Sequence, residues 1–413
     1  MSNGTYSEAN ISAILERLNG EYADKMVWPI TFLSVVMCTG ACGNVVVASV
    51  YFCARRKSVI NLLIGTLAVL DLINSLCSIP AEIVHLRFKY TLGRYVYWCK
   101  GSRVLIAFTI FAPCGILIVI AIDRYKQICK PFKHQTSPAL ARTALGICCL
   151  LAMCIATPAW FLNGKRTVLM NAIPGSECTI SDEHKDGPFP IVYNSVLFSL
   201  YLSGCTVLIV LYTLIWKRLQ VQQKFRRALG RSFRRMRYSR ATRSLSAKPI
   251  DVIMDSSSSP PPQPTPMTNT SPPASTSGSS SSISCTDSMN EEPLERSILQ
   301  TVPKPKVQAK TKAGSSAVTK ATLVMFLVTV IFILSFLPYL TIATLKYFNR
   351  RTLHHVDDVR SVVYQFFLKF HHVNSACNPI VYSFCGRQFR QDLRQFRTDM
   401  THKVQCCIKK RDR

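Results

Sequence analysis

A few charged and polar residues stand in stretches otherwise made of hydrocarbon. Asp123, Arg124 and Tyr125 follow the apolar run "ILIVIAI", and Asp71 closes "NLLIGTLAVLD". Charges at such places are costly unless they meet a water boundary or one another inside the protein. Asp71 therefore needs partners on neighbouring segments, and Asn44, Asn374, Ser375 and Asn378 offer amides and a hydroxyl. Such a cluster can hold helices together, or it can be a water- or ion-filled core that rearranges during switching. Catalysis fits poorly: Asp71 has no second acid beside it in the obvious apolar segments, and no HExxH occurs. No CxxC pair with suitable partners points to a metal, and no cofactor is expected.

The elements that must position these groups are long and apolar. The chain has 413 residues, 48% of them hydrophobic, with a formal net charge of +28. A soluble protein so basic would suggest nucleic acid as a partner, but here the apolar residues fall into blocks, so none is expected. Trp28–Phe52, Val59–Val84, Arg103–Ile122, Ala139–Leu162, Phe189–Trp216, Ala321–Leu345 and Ser361–Phe384 each suit a helix crossing a bilayer core of about 30 Å. Lys369, His371 and His372 make the seventh the weakest by hydropathy. The expectation is an all-α membrane protein, a seven-transmembrane helix bundle. A secondary transporter would show internal repeats, and none is evident.

Basic residues orient it. Arg55, Arg56 and Lys57 lie between spans one and two, and Lys126, Lys130 and Lys133 between three and four. About eighteen more Lys and Arg lie between five and six, so the amino terminus is expected outside and the carboxyl terminus in the cytoplasm. Residues 1–27 form a short polar outer tail with acceptor sequons at Asn3 and Asn10. No cleaved signal peptide is expected, so span one serves as the signal anchor. Most of the 17 cysteines lie within apolar blocks. Cys99 and Cys178 stand apart on the oxidising side, which suggests a disulfide tethering the loop between spans four and five.

Spans one to five occupy 28–216 and spans six and seven 321–384; the loop 217–320 is basic at first, then Ser/Pro/Thr-rich and expected to be disordered. Its basic run suits anionic lipid, and Ser239, Thr242 and Ser244 suit phosphorylation. In the tail, 385–413, Cys406 and Cys407 suit palmitoylation or remain an unmodified pair.

Taken in order, Asn44, "LAVLD" ending at Asp71, Cys99, Asp123-Arg124-Tyr125, Phe332, Pro338 and Asn378-Pro379-x-x-Tyr382 resemble the rhodopsin-like (class A) G-protein-coupled receptors. The resemblance covers about Trp28 to Phe396, apart from the Ser/Pro-rich insert. Phe389, Leu393 and Phe396 form an apolar stripe similar to that family's short amphipathic eighth helix. The resemblance implies a plasma-membrane receptor that binds an outside ligand and activates a heterotrimeric G protein, with arrestin and receptor kinases as further partners. It implies that Asp123 holds Arg124 until span six swings outward, with Tyr212, Phe332, Phe336, Pro338 and Tyr382 in the switch.

Several positions depart from the family pattern. Cys148 stands where span four usually has tryptophan, Gly204 where span five has proline, and Phe336 where span six has its toggle tryptophan. Pro113 replaces a small polar residue that helps bind sodium, which puts a sodium site near Asp71 in doubt. Ile106, about five helical turns before Arg124, replaces the acid that aminergic receptors require. His372 replaces the lysine that holds retinal. Glu82, Arg103, Ile106, Tyr339 and His372 are therefore the candidate ligand residues, suited to a neuropeptide, with a lipid or acidic metabolite as the alternative. Glu82 and Arg103 could instead simply pair with each other.

Overall fold

The computed structural model describes residues 8–53, 58–132, 134–170, 173–246, 306–348 and 358–411. Among these described residues, six helices are long and apolar enough to cross a membrane: Val27–Cys53, Val59–Arg87, Val96–Cys129, Pro138–Leu162, Phe189–Ser232 and Ala321–Ile342. The seventh span is assembled from pieces, a helix Asp358–Leu368, a 3-10 turn Phe370–His372 and a helix Val373–Cys385. The break falls at Lys369, whose amide reaches back to both Gln365 and Phe366. Neither helix alone has the length of a span, and Lys369, His371 and His372, which weaken its hydropathy, lie at the break.

Local chemistry sets several helix starts. Ser58 and Ser137 cap spans two and four by accepting the amides of Asn61 and Leu140, and Pro138 opens span four where its missing amide costs nothing. Span two contains a π turn, Asn74–Ser78, between Asp71 and Glu82. Such a wide turn leaves one extra residue in the helix and changes which side chains face inward.

The spans pack around Leu63, Leu67, Ile116, Leu117, Ile120, Leu208, Val328, Phe332 and Tyr382, all essentially buried. Their outer faces leave Leu150, Leu151, Ile209 and Val210 exposed, as a surface wetted by hydrocarbon requires. Small residues permit close approach. A Cβ on Gly43 would sit 2.6 Å from Pro379, so span one lies directly against span seven there. Gly115 faces Cys148 and Gly204 faces Cys114 in similar fashion.

The polar amino-terminal segment forms a helix, Glu8–Lys25. Leu15, Tyr22 and Met26 are buried against Leu33, Ile79, Tyr90 and Ile173. Asn19 fixes it by donating to Thr91 Oγ1 (2.9 Å) and accepting the Tyr90 amide (2.8 Å). After span four, strands β1 (Asn163–Met170) and β2 (Ile173–Ile180) form an antiparallel hairpin with Lys165 opposite Cys178. Cys178 is bonded to Cys99 at the start of span three. The Ser176 amide donates to Tyr90 O (2.7 Å), which joins the hairpin to the turn after span two. Asp182 accepts the Thr167 amide, and that bond holds its carboxyl below the usual range.

Helices five and six run beyond the apolar blocks, as Phe189–Ser246 and Lys306–Phe348. The basic sequence after Trp216 holds no proline to stop the first. The carboxyl-terminal helix, Arg387–Arg411, is longer than the short one expected, because neither proline nor glycine interrupts it. Phe389 is buried, with Leu393 and Phe396 packed on the same core. The Ser/Pro-rich sequence, Asn3, and the side chains of Ser239, Thr242, Ser244, Cys406 and Cys407 lie outside the described residues. Asn10 is on the exposed side of the amino-terminal helix.

Candidate functional site

Three polar groupings lie along the bundle. Nearest the carboxyl-terminal helix, Arg124 donates to Asp123 Oδ2 at 2.6 Å, and Gln127 Nε2 donates to the same oxygen at 2.9 Å. Both members of the pair are nearly fully buried. Arg124 Nε, Tyr212 Oη and Tyr382 Oη are also buried and have no hydrogen-bond partner. Unpaired donors of this kind cost energy that another arrangement of the helices could recover.

At mid-depth, Asp71 Oδ1 accepts from Ser375 Oγ (2.8 Å) and Oδ2 from Asn378 Nδ2 (2.7 Å). Asn44 Nδ2 bridges Gly40 O and Ser375 O, tying span one to span seven. Asn74, in the π turn, donates to Ser375 Oγ (2.9 Å), and its Oδ1 meets His372 Nδ1 at 3.1 Å. Side chains thus form one chain from His372 through Asn74 and Ser375 to Asp71.

The third grouping lies toward the disulfide. Lys369 Nζ donates to Glu82 Oε2 at 2.6 Å, with the two side chains 8% and 3% exposed. Arg103 donates to Cys178 O at 2.9 Å and contacts His85 Nδ1 at 3.3 Å, while His85 Nε2 meets Ser102 Oγ at 3.1 Å. Phe336 links this grouping to the core: its ring lies 5.3 Å from His371 and 4.9 Å from Phe332. Tyr339 stands edge-on to His371 at 5.4 Å.

A family model described as "7 transmembrane receptor (rhodopsin family)" matches residues 43–382. The chain belongs to that family. It is a multi-pass membrane receptor and not an enzyme. The human type-1 angiotensin II receptor is 27% identical over 194 residues, 46% of this chain and 53% of that protein. The dog protein of the same name and the rat type-1 angiotensin II receptor A are each 26% identical over 194 residues. The chain spans about half the length of the curated relatives it matches.

In this receptor the residues singled out from sequence fall into place unevenly. Asn44, Asp71, Ser375 and Asn378 share one hydrogen-bonded cluster; Asn374 is buried with its Oδ1 unpartnered. The suggested Glu82–Arg103 pair is not what forms: Glu82 takes Lys369, and Arg103 turns to the hairpin carbonyl and His85. Span three brings Arg103 under the tethered loop, so the disulfide decides its partner. Ile106 is buried, with its carbonyl bound to Thr109. His372 joins the mid-depth chain through Asn74. Lys369 is the residue that sequence reasoning passed over. The available signal was a lysine inside an apolar span, which only an acid on another span can accommodate. Asn74 went unnoticed because a π turn leaves no mark in composition.

Proposed function

We propose that this receptor binds an extracellular ligand, a neuropeptide, and activates a heterotrimeric G protein through outward movement of span six. The observation that carries the reading is the buried Asp123–Arg124 pair. A charge pair there, with orphaned Tyr212 and Tyr382 hydroxyls in the same core, is a bistable element whose populations a ligand can shift. Arg124 then faces the cytoplasm, sealed in the resting state and exposed to the transducer in the active one. Phe332 and Phe336 are in contact with each other, and Phe336 also meets His371, which connects span six to the grouping near the disulfide.

The peptide assignment draws support from the type-1 angiotensin II receptors among the relatives and from a polar grouping under a tethered hairpin. Screening a peptide library with guanine-nucleotide exchange in membranes tests it. An agonist whose effect disappears in Arg124→Gln supports the reading. An agonist whose signal survives that substitution, or placement of Arg124 on the outer face by accessibility labelling, removes it.

A further inference from the structure

Asp123 Oδ2 accepts two hydrogen bonds on one oxygen, from Arg124 at 2.6 Å and from Gln127 at 2.9 Å. The two donors are placed differently. Gln127 lies four residues after Asp123 in the same helix, Val96–Cys129, so both side chains share one face of span three. Their bond is local to that helix and persists however span three moves as a body. The Arg124 guanidinium is the donor that departs when the latch opens. Asp123 stays behind, a nearly fully buried carboxylate, with half-buried Gln127 beside it.

We infer that Gln127 is a positioning residue of the switch, which holds the Asp123 carboxylate when Arg124 leaves and so favours release. The inference rests on the receptor reading above and adds a residue to its latch. Two effects act in the same direction. While Arg124 is in place, the Gln127 amide draws on the charge of the shared oxygen and loosens its hold on the guanidinium. Once Arg124 has gone, Gln127 still donates to a carboxylate that would otherwise be buried bare. Going from two donors to one costs a buried anion less than going from one to none. Without Gln127 the closed pair is therefore tighter and the open state less favourable.

Full-length receptor without ligand, in nanodiscs, would be titrated with a panel of purified heterotrimeric G proteins after removal of nucleotide. Apparent affinity then scales with the fraction of receptor whose latch is open. Gln127→Met keeps the length and helix preference of the side chain but cannot donate. It should weaken G-protein binding about threefold or more. Gln127→Lys places a cationic competitor beside the same oxygen and should strengthen binding. In an Asp123→Asn background neither substitution should have a further effect. A residue that only packs, or that only touches the G protein, would act alike in both backgrounds. Undiminished binding in Gln127→Met, binding no tighter than wild type in Gln127→Lys, or effects that persist with Asp123→Asn would overturn the inference. Melting temperatures of both variants close to wild type exclude misfolding as the cause. A wild-type receptor that binds no G protein in the panel removes the receptor reading and this inference with it. Binding that ignores Gln127 removes the inference alone.

Discussion

Lys369 and Glu82 lie 2.6 Å apart in the bundle and 287 residues apart in sequence, joining the break in span seven to the part of span two beyond its π turn. Neither charge could stay buried there alone. Glu82→Gln or Lys369→Met is therefore expected to cost about 3–5 kcal/mol, while the double substitution recovers much of that loss. Thermal melts of the purified receptor in detergent would reveal the non-additivity. Additive losses would show that the two groups do not act as a pair.

The same logic applies to Asp123 and Arg124, with a functional readout. Asp123→Asn removes the negative partner but keeps the shape. It should raise basal nucleotide exchange several-fold, since each 1.4 kcal/mol taken from the resting state shifts the equilibrium about tenfold. Arg124→Gln should instead abolish stimulated exchange while leaving surface expression near normal. Unchanged basal exchange in Asp123→Asn would mean that the contact does not hold the resting state.

The Cys99–Cys178 bond closes a long loop, with a sequence separation of 79. Its removal by Cys178→Ser should destabilise the receptor by about 2–5 kcal/mol. It should also release the carbonyl that Arg103 contacts. A melt lowered by several degrees is the expected result; a melt equal to wild type would show that the hairpin is held by its other contacts, such as Ser176 to Tyr90.

Gly43 tests the helix packing. A methyl group there would clash with Pro379, and both residues sit in rigid helices. Gly43→Ala should cost about 1–3 kcal/mol through overpacking, although alanine is the better helix former. Gly146, with open space around its Cβ position, is the control: Gly146→Ala should be neutral or mildly stabilising.

Much of the bundle was legible because hydrocarbon imposes length and composition on any helix that crosses it. The family match over residues 43–382 and six long apolar helices agree with that reading. Other features were less legible for identifiable reasons. The amino-terminal helix is only weakly apolar overall and depends on contacts with Tyr90 and Ile173, far along the chain. Lys369 seemed to weaken a span, because its partner on span two appears only when the helices are assembled. The carboxyl-terminal helix outran its apolar stripe because propensity and the lack of breakers carry it past Phe396. Pairings such as Asn74 with His372, 298 residues apart, depend on which way a π turn rotates a side chain.

That last pairing gives the most discriminating prediction. Asp71 is linked through Ser375 and Asn74 to His372, which neighbours the Lys369–Glu82 pair in span seven. Proximity alone does not demonstrate coupling; shared control of a two-state element does. If the chain carries the signal, disturbing the outer pair by Glu82→Gln should alter basal nucleotide exchange only while Asn74 is present. In an Asn74→Leu background the same substitution should have little further effect. A cycle measured on receptors matched for surface expression should then show a coupling energy above about 0.5 kcal/mol. Independent effects would mean that this grouping reaches Arg124 by another route, for which the tilted contact between the Phe336 and His371 rings is the alternative. Phe336→Leu would then become the substitution that disconnects Glu82 from the switch, so the two variants together assign the route.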